Sequence, residues 1–232
     1  MSKLSVGILV FPKVQQLDLT GPYDVFASAP GADVRLVWKR IEPIVAATGL
    51  TLTPDVTFGD SPQFDVLCVP GGGGVNPLME DEETLDFLRQ QAAGARYITS
   101  VCTGSLVLGA AGLLEGRKAT THWASHDLLS RLGAEPVKAR VVRDGNLFTG
   151  GGVTAGIDMA LTCVAEMFDR ETAEAVQLNL EYTPEPPFDA GQPDTAPAPV
   201  LARVRDRGRA TRAEREAIVD RIETARAIQT AN

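Results

Sequence analysis

The 232 residues carry 22 Lys and Arg against 30 Asp and Glu, a net charge of −8, with 44% hydrophobic and 22% charged residues. This is ordinary globular usage in a chain long enough to bury a core without disulfides. The acidic balance repels phosphate backbones and speaks against nucleic acid as a partner.

Ser5 to Phe11 (SVGILVF) is a short apolar run and predicts a strand buried on both faces. With Pro12 and Lys13 directly after it, a run of only about seven residues is at the lower limit of a signal-peptide core. No stretch approaches the ~20 apolar residues of a membrane span. A polar loop from Gln15 to Thr20 is expected to lead through Gly21-Pro22 to a short helix at about Asp24 to Ala29. Val34 to Trp38 predicts a second strand, and Ile44 to Thr53 a hairpin turning near Thr48-Gly49. Val66 to Val69 predicts another buried strand, ended by Pro70 and four glycines, and Glu82 to Ala93 a helix. Tyr97 to Val101 then reads as a strand, Cys102-Thr103-Gly104 as a turn, and Ser105 to Ala111 as a helix ended by Gly112. A helix near Ser125 to Leu132, a hairpin VVRDGNLFT turning at Asp144-Gly145, and a long apolar helix from Ala155 to Phe168 complete the pattern. Strands alternating with helices argue for an α/β fold with a mostly parallel sheet covered on both faces. Thr183 to Pro199 holds six prolines and predicts an ordered wrap or linker. Residues 200–232, with eight arginines among five acids, predict one or two helices with a solvated face.

Three scattered cysteines, Cys68, Cys102 and Cys163, form neither a disulfide framework nor a CxxC pair, and a reducing cytoplasm is the expected compartment. Cys68 lies inside a strand and Cys163 inside an apolar helix, the surroundings of a small buried hydrophobe. Cys102 stands instead at a strand-to-helix turn, which pushes a side chain above the carboxyl edge of the sheet. The unpaired N–H groups and dipole of the following helix are expected to favour its thiolate, the nucleophilic form. Asp18, in the loop after the first strand, belongs to the same edge. It is either a general acid and base with a pKa raised by burial or a helix cap. Gly71 to Gly74 offers backbone N–H groups for an anionic intermediate, or is only a tight turn; without a following Gly-Lys-Ser/Thr it is not a P-loop. Gly150 to Ala155 (GGGVTA) imitates a dinucleotide fingerprint. Its long helix is followed by another helix rather than by a strand with a ribose-binding acid, so a nicotinamide or flavin cofactor is not expected. His122 and His126 are the only histidines, and no third ligand is adjacent, so no metal site is expected.

Val101 to Trp123 (VCTGSLVLGAAGLLEGRKATTHW), with QQLDLTGPYDVF, CVPGGGG and TGGGVTAGID, resembles the DJ-1/PfpI superfamily from residue 5 to about 180. Within it the pattern looks most like the isonitrile (isocyanide) hydratases. The resemblance implies a flavodoxin-like three-layer sandwich with a nucleophile elbow over residues 1–182, with 183–232 as a wrap and helical extension of the same domain. It also implies a homodimer, and hydration of R–N≡C to an N-substituted formamide with no metal or cofactor. In that reading Cys102 attacks, Asp18 moves protons, and backbone N–H groups near Thr103, Gly72 and Gly73 polarise the intermediate. Gln16, His122 and Gly151 are expected to complete the substrate site. Thr103 stands where protease-like members place a histidine, and Asp18 where many members place a glutamate. The competing readings are a glyoxalase-like enzyme acting on methylglyoxal, a sensor oxidised at Cys102, and the amidotransferase-like part of an AraC-type regulator. For the last, the segment after residue 180 is expected to be too short to hold the DNA-binding part.

Overall fold

The computed structural model describes residues 4–230. In chain order the main elements are β1 (Leu4–Leu9), α1 (Gln16–Ala27), β2 (Ala32–Trp38), β3 (Val56–Thr57), β4 (Val66–Val69), α2 (Glu82–Gly94), β5 (Tyr97–Val101), α3 (Gly104–Ala110), β6 (Val141–Asp144), β7 (Leu147–Gly150), α4 (Ala155–Met167), α5 (Arg170–Asn179) and α6 (Ala198–Thr230). One seven-stranded sheet runs β6-β7-β5-β4-β1-β2-β3, parallel except for β6. Its central strands β1 and β4 are the apolar runs LSVGIL and VLCV, buried on both faces as a covered parallel sheet requires.

The strand order decides where helices and ligands go. The chain moves from β1 to β2 in one direction along the sheet, but from β4 to β5 in the other. With right-handed crossovers, α1 lies on one face and α2 on the opposite one. α4 and α5 join α1, and α3 packs beside α2. The order therefore reverses between β1 and β4, and the crevice beyond their carboxyl ends is where open α/β sheets take ligands. The loops after β1, β4 and β5 all end there.

Four expectations need correction. The segment after β1 is not a loop: α1 begins at Gln16 and runs through Gly21 and Pro22. Tertiary packing overrides the usual breaker effect, because these small residues let α1 approach α4. A Cβ on Gly21 would lie 3.1 Å from Ile157, and one on Gly156 would lie 3.1 Å from Pro22. The single helix expected at 125–132 is instead a 3-10 turn, Trp123–Ser125, and a short helix, Leu128–Arg131. The β6–β7 turn is Gly145-Asn146, since Asp144 still pairs with Leu147 and Gly145 takes the positive φ of 58°.

The arginine-rich tail is the fourth. It is one helix, α6, and only its first part faces solvent throughout. Further along, Ile218 and Val219 are buried, and Arg131–Glu223 and Arg221–Glu80 ion pairs fasten the helix to the body. Among the described residues no helix is long and apolar enough to cross a membrane.

Candidate active site

β5 ends at Val101, and Cys102 takes φ 54°, a left-handed conformation that an L side chain adopts only under constraint. The constraint comes from three directions. The Cys102 N–H donates to the Gly150 carbonyl at 2.9 Å. Its carbonyl accepts from Thr121 Oγ1 at 2.8 Å and from Ser105 Oγ at 3.3 Å. Gly104 lets α3 start directly against β4, for a Cβ there would run into the Val69 carbonyl oxygen. The thiol is thus held at the reversal point of the sheet, only 6% exposed.

Asp18 reaches the thiol from the first turn of α1 and is fully buried. It caps no helix. Its Oδ2 accepts from the Gly71 N–H at 3.0 Å. Oδ1 is buried with no partner of ordinary hydrogen-bond geometry, and the group that interacts with the carboxyl on its open side is the Cys102 thiol. Burial outweighs the Gly71 and Cys102 hydrogen bonds and raises the carboxyl to a pKa of about 7. Gly71 has to be glycine here: a Cβ would stand 2.6 Å from the Thr103 nitrogen and 2.8 Å from Asp18 Oδ2.

Thr103 is the third member. Its Oγ1 accepts from the Gly72 N–H at 3.1 Å, and its amide and hydroxyl hydrogen-bond the sulfur. These contacts favour the thiolate, yet burial first and the Asp18 charge second push the thiol well above its ordinary pKa. The expectation of a resting thiolate is therefore corrected. α3 is only seven residues long, and desolvation of the sulfur dominates the helix-end effect. In the resting pair the easily lost proton is on Asp18, and Cys102 is a neutral thiol. Cys68 and Cys163 are fully buried, and burial pushes Cys68 up to about 12.

The remaining residues singled out in the sequence divide. The Gly72 amide is occupied by Thr103, the Gly151 amide donates to the Arg140 carbonyl, and Gly73 lies on the exposed side of its loop. The Gly72 amide is therefore engaged by Thr103 rather than free for an intermediate as expected. Gln16, the first residue of α1 and two before Asp18, is half-buried, and its side-chain oxygen is buried without a hydrogen-bond partner. His122 Nδ1 accepts from the Ala124 N–H, and burial together with the Arg215 charge lowers its pKa, leaving it neutral at pH 7. Thr121, Asn76, Ser125 and Arg215 also frame the site and were not singled out. Arg215 had one sequence signal: with Ile218, Val219 and Ile222 it falls at i, i+3, i+4 and i+7 of an apolar helical stripe.

Residues 4–166 match the sequence model described as the DJ-1/PfpI family. The chain is similar to a protein named isonitrile hydratase from Pseudomonas putida, 68% identical over 204 residues that cover 88% of this chain and 90% of that one. It is 36% identical over 148 residues to the HTH-type transcriptional regulator GbdR of Pseudomonas aeruginosa, covering 62% of this chain and 38% of the regulator. Among solved structures it is similar to a THiJ/PfpI family protein from Pseudomonas syringae, with a TM-score of 0.91 and 45% identity, covering 94% of this chain and 91% of that one.

Proposed function

The chain belongs to the DJ-1/PfpI family, and from that premise we propose that it is an isonitrile hydratase, turning R–N≡C and water into an N-substituted formamide. The observation that carries this reading is the Cys102 thiol at the elbow beside a buried Asp18 carboxyl, which the Gly71 N–H holds and burial raises to about 7. A carboxyl at that pKa takes and returns protons with equal ease.

Ionised Asp18 accepts the thiol proton as the sulfur attacks the terminal isonitrile carbon, and it returns that proton to the same carbon. The product of this half-reaction is a thioimidate, R–N=CH–S–Cys102. Asp18, ionised again, then takes a proton from water as the oxygen adds to that carbon and passes it to the nitrogen, leaving the second water proton on the new hydroxyl for the sulfur. The carbon–sulfur bond breaks, the sulfur recovers its proton, and R–NH–CHO leaves. Thr103, through its amide and hydroxyl, steadies the sulfur whenever it carries charge. The reacting group of an isonitrile is linear and one atom wide, which suits a thiol with so little exposure.

The test is a direct comparison of substrates. An alkyl or aryl isonitrile should give the formamide, with methylglyoxal consumed at least ~100-fold more slowly, or ~2.7 kcal/mol of transition-state discrimination. Methylglyoxal turnover with isonitriles untouched would move the protein to the glyoxalase-like reading. A homodimer in the cytoplasm belongs to the same proposal. Exposed apolar side chains at Leu178, Phe188, Val200 and Val204 support the dimer, and three free cysteines support the compartment. Light scattering should return twice the chain mass of 24.7 kDa at micromolar concentration; a monomer mass contradicts the dimer.

A further inference from the structure

The helix α6 carries one side chain unlike its neighbours. Arg215 is 7% exposed, whereas the other arginines of the helix are half-buried or exposed. Those nearest to it are paired with acids of the body, Arg212 with Asp127 and Arg221 with Glu80. Arg215 makes no ion pair among the described residues. Its partners are neutral: Nε donates to Asn76 Oδ1 at 2.9 Å and Nη1 to Ser125 Oγ at 2.8 Å. Glu214, next to it in the chain, accepts instead from Asn76 Nδ2 at 2.8 Å.

We propose that Arg215 is a positioning residue of the Cys102 site, which ties together the two loops that hold the nucleophile and supplies the positive charge within electrostatic reach of its sulfur. Asn76 closes the loop whose Gly71 amide holds Asp18 and whose Gly72 amide holds Thr103. Ser125 closes the segment whose Thr121 hydroxyl holds the Cys102 carbonyl. One guanidinium therefore spans both supports of the elbow. A buried guanidinium whose hydrogen-bond partners are neutral is costly, and the anions that favour it here are a thiolate formed at Cys102 first and Glu214 after it. Burial lowers the Arg215 pKa, and the Cys102 charge acts first among the groups that raise it. A cation near an ionising thiol favours the thiolate over the neutral thiol. Asp18 from α1 is the charged group that acts on the sulfur most strongly, while Arg215 from α6 responds to the Cys102 charge and has neutral His122 beside it. Around Arg215 itself stand Arg212 and Glu214 of its own helix.

The inference rests on Cys102 as the nucleophile and not on the identity of the substrate, so its test leaves isonitriles aside. The rate of alkylation of Cys102 by iodoacetamide is measured against pH in the full-length folded protein, with the modified peptide identified by mass spectrometry. Arg215→Met keeps the length and apolar packing of the side chain and removes the charge. Its alkylation midpoint should rise by about one pH unit, a roughly tenfold slower reaction at pH 8, while Arg215→Lys stays close to wild type. A folded Arg215→Met protein with the wild-type midpoint overturns the proposal, and so does an equal shift in the Met and Lys variants. If Arg215→Met does not fold, Arg215→Gln, whose amide can still donate to Asn76, is read in the same way.

Discussion

Cys102→Ala is expected to reduce formamide production at least about 10³-fold, since removing a covalent nucleophile removes the whole two-step route rather than one stabilising contact. The variant should still fold. The backbone bonds of the elbow, Cys102 N–H to Gly150 and Thr121 to the Cys102 carbonyl, do not involve the side chain. Cys68→Ala and Cys163→Ala should keep turnover, although each opens a small cavity and lowers stability by about 1 kcal/mol or more. Steady-state rates and melting temperatures of the three variants separate the two effects. Full activity in Cys102→Ala would end the covalent reading.

Asp18→Asn is expected to slow turnover by about 10²-fold or more, because the amide can accept the Gly71 N–H but can neither take nor return a proton. The pH dependence gives the same residue a second signature. The form that reacts has Asp18 ionised and Cys102 protonated, so kcat/KM of the wild type should climb as pH rises through about 7 and then level off. Asp18→Asn should lose that inflection. The stability consequence has the opposite sense to activity. An unfolded aspartate titrates near 3.9, and the folded one near 7, so between these values the folded protein binds more protons and stability falls as pH rises. Above about pH 7 the full destabilisation is present. The Asn variant should therefore gain more in melting temperature at pH 8 than at pH 4, a gain in stability coupled to a loss of function. An Asn variant with wild-type rates, or with a gain largest at low pH, contradicts the role given to Asp18.

The sheet and the elbow were legible because each signal there is local. VLCV, YITSV and the turn Cys102-Thr103-Gly104 need only apolar runs and a break, and the observed boundaries of β4 and β5 follow them. Asp18 was legible as chemistry and misplaced as structure. Gly21-Pro22 is a breaker by propensity, and only the close approach of Gly156 on α4, far away in sequence, makes a helix there favourable. The glycine amides show a different limit. A run of four glycines announces available N–H groups, but whether Gly71 and Gly72 are free or engaged by Asp18 and Thr103 depends on partners from other loops. The ionisation of Cys102 was misread for a similar reason, since helix ends are visible in a sequence and burial of a sulfur is not. Arg215 was hidden among eight arginines; the apolar stripe of Ile218, Val219 and Ile222 placed it on the inner face, and charge alone pointed outward.

The covalent route through Cys102 is tested most directly by mass spectrometry of the protein quenched during turnover of an alkyl isonitrile. The account predicts one adduct whose mass equals that of the isonitrile, carried on the peptide that contains Cys102 and lost as formamide accumulates. Formamide released at the normal rate while that peptide stays unmodified would contradict it.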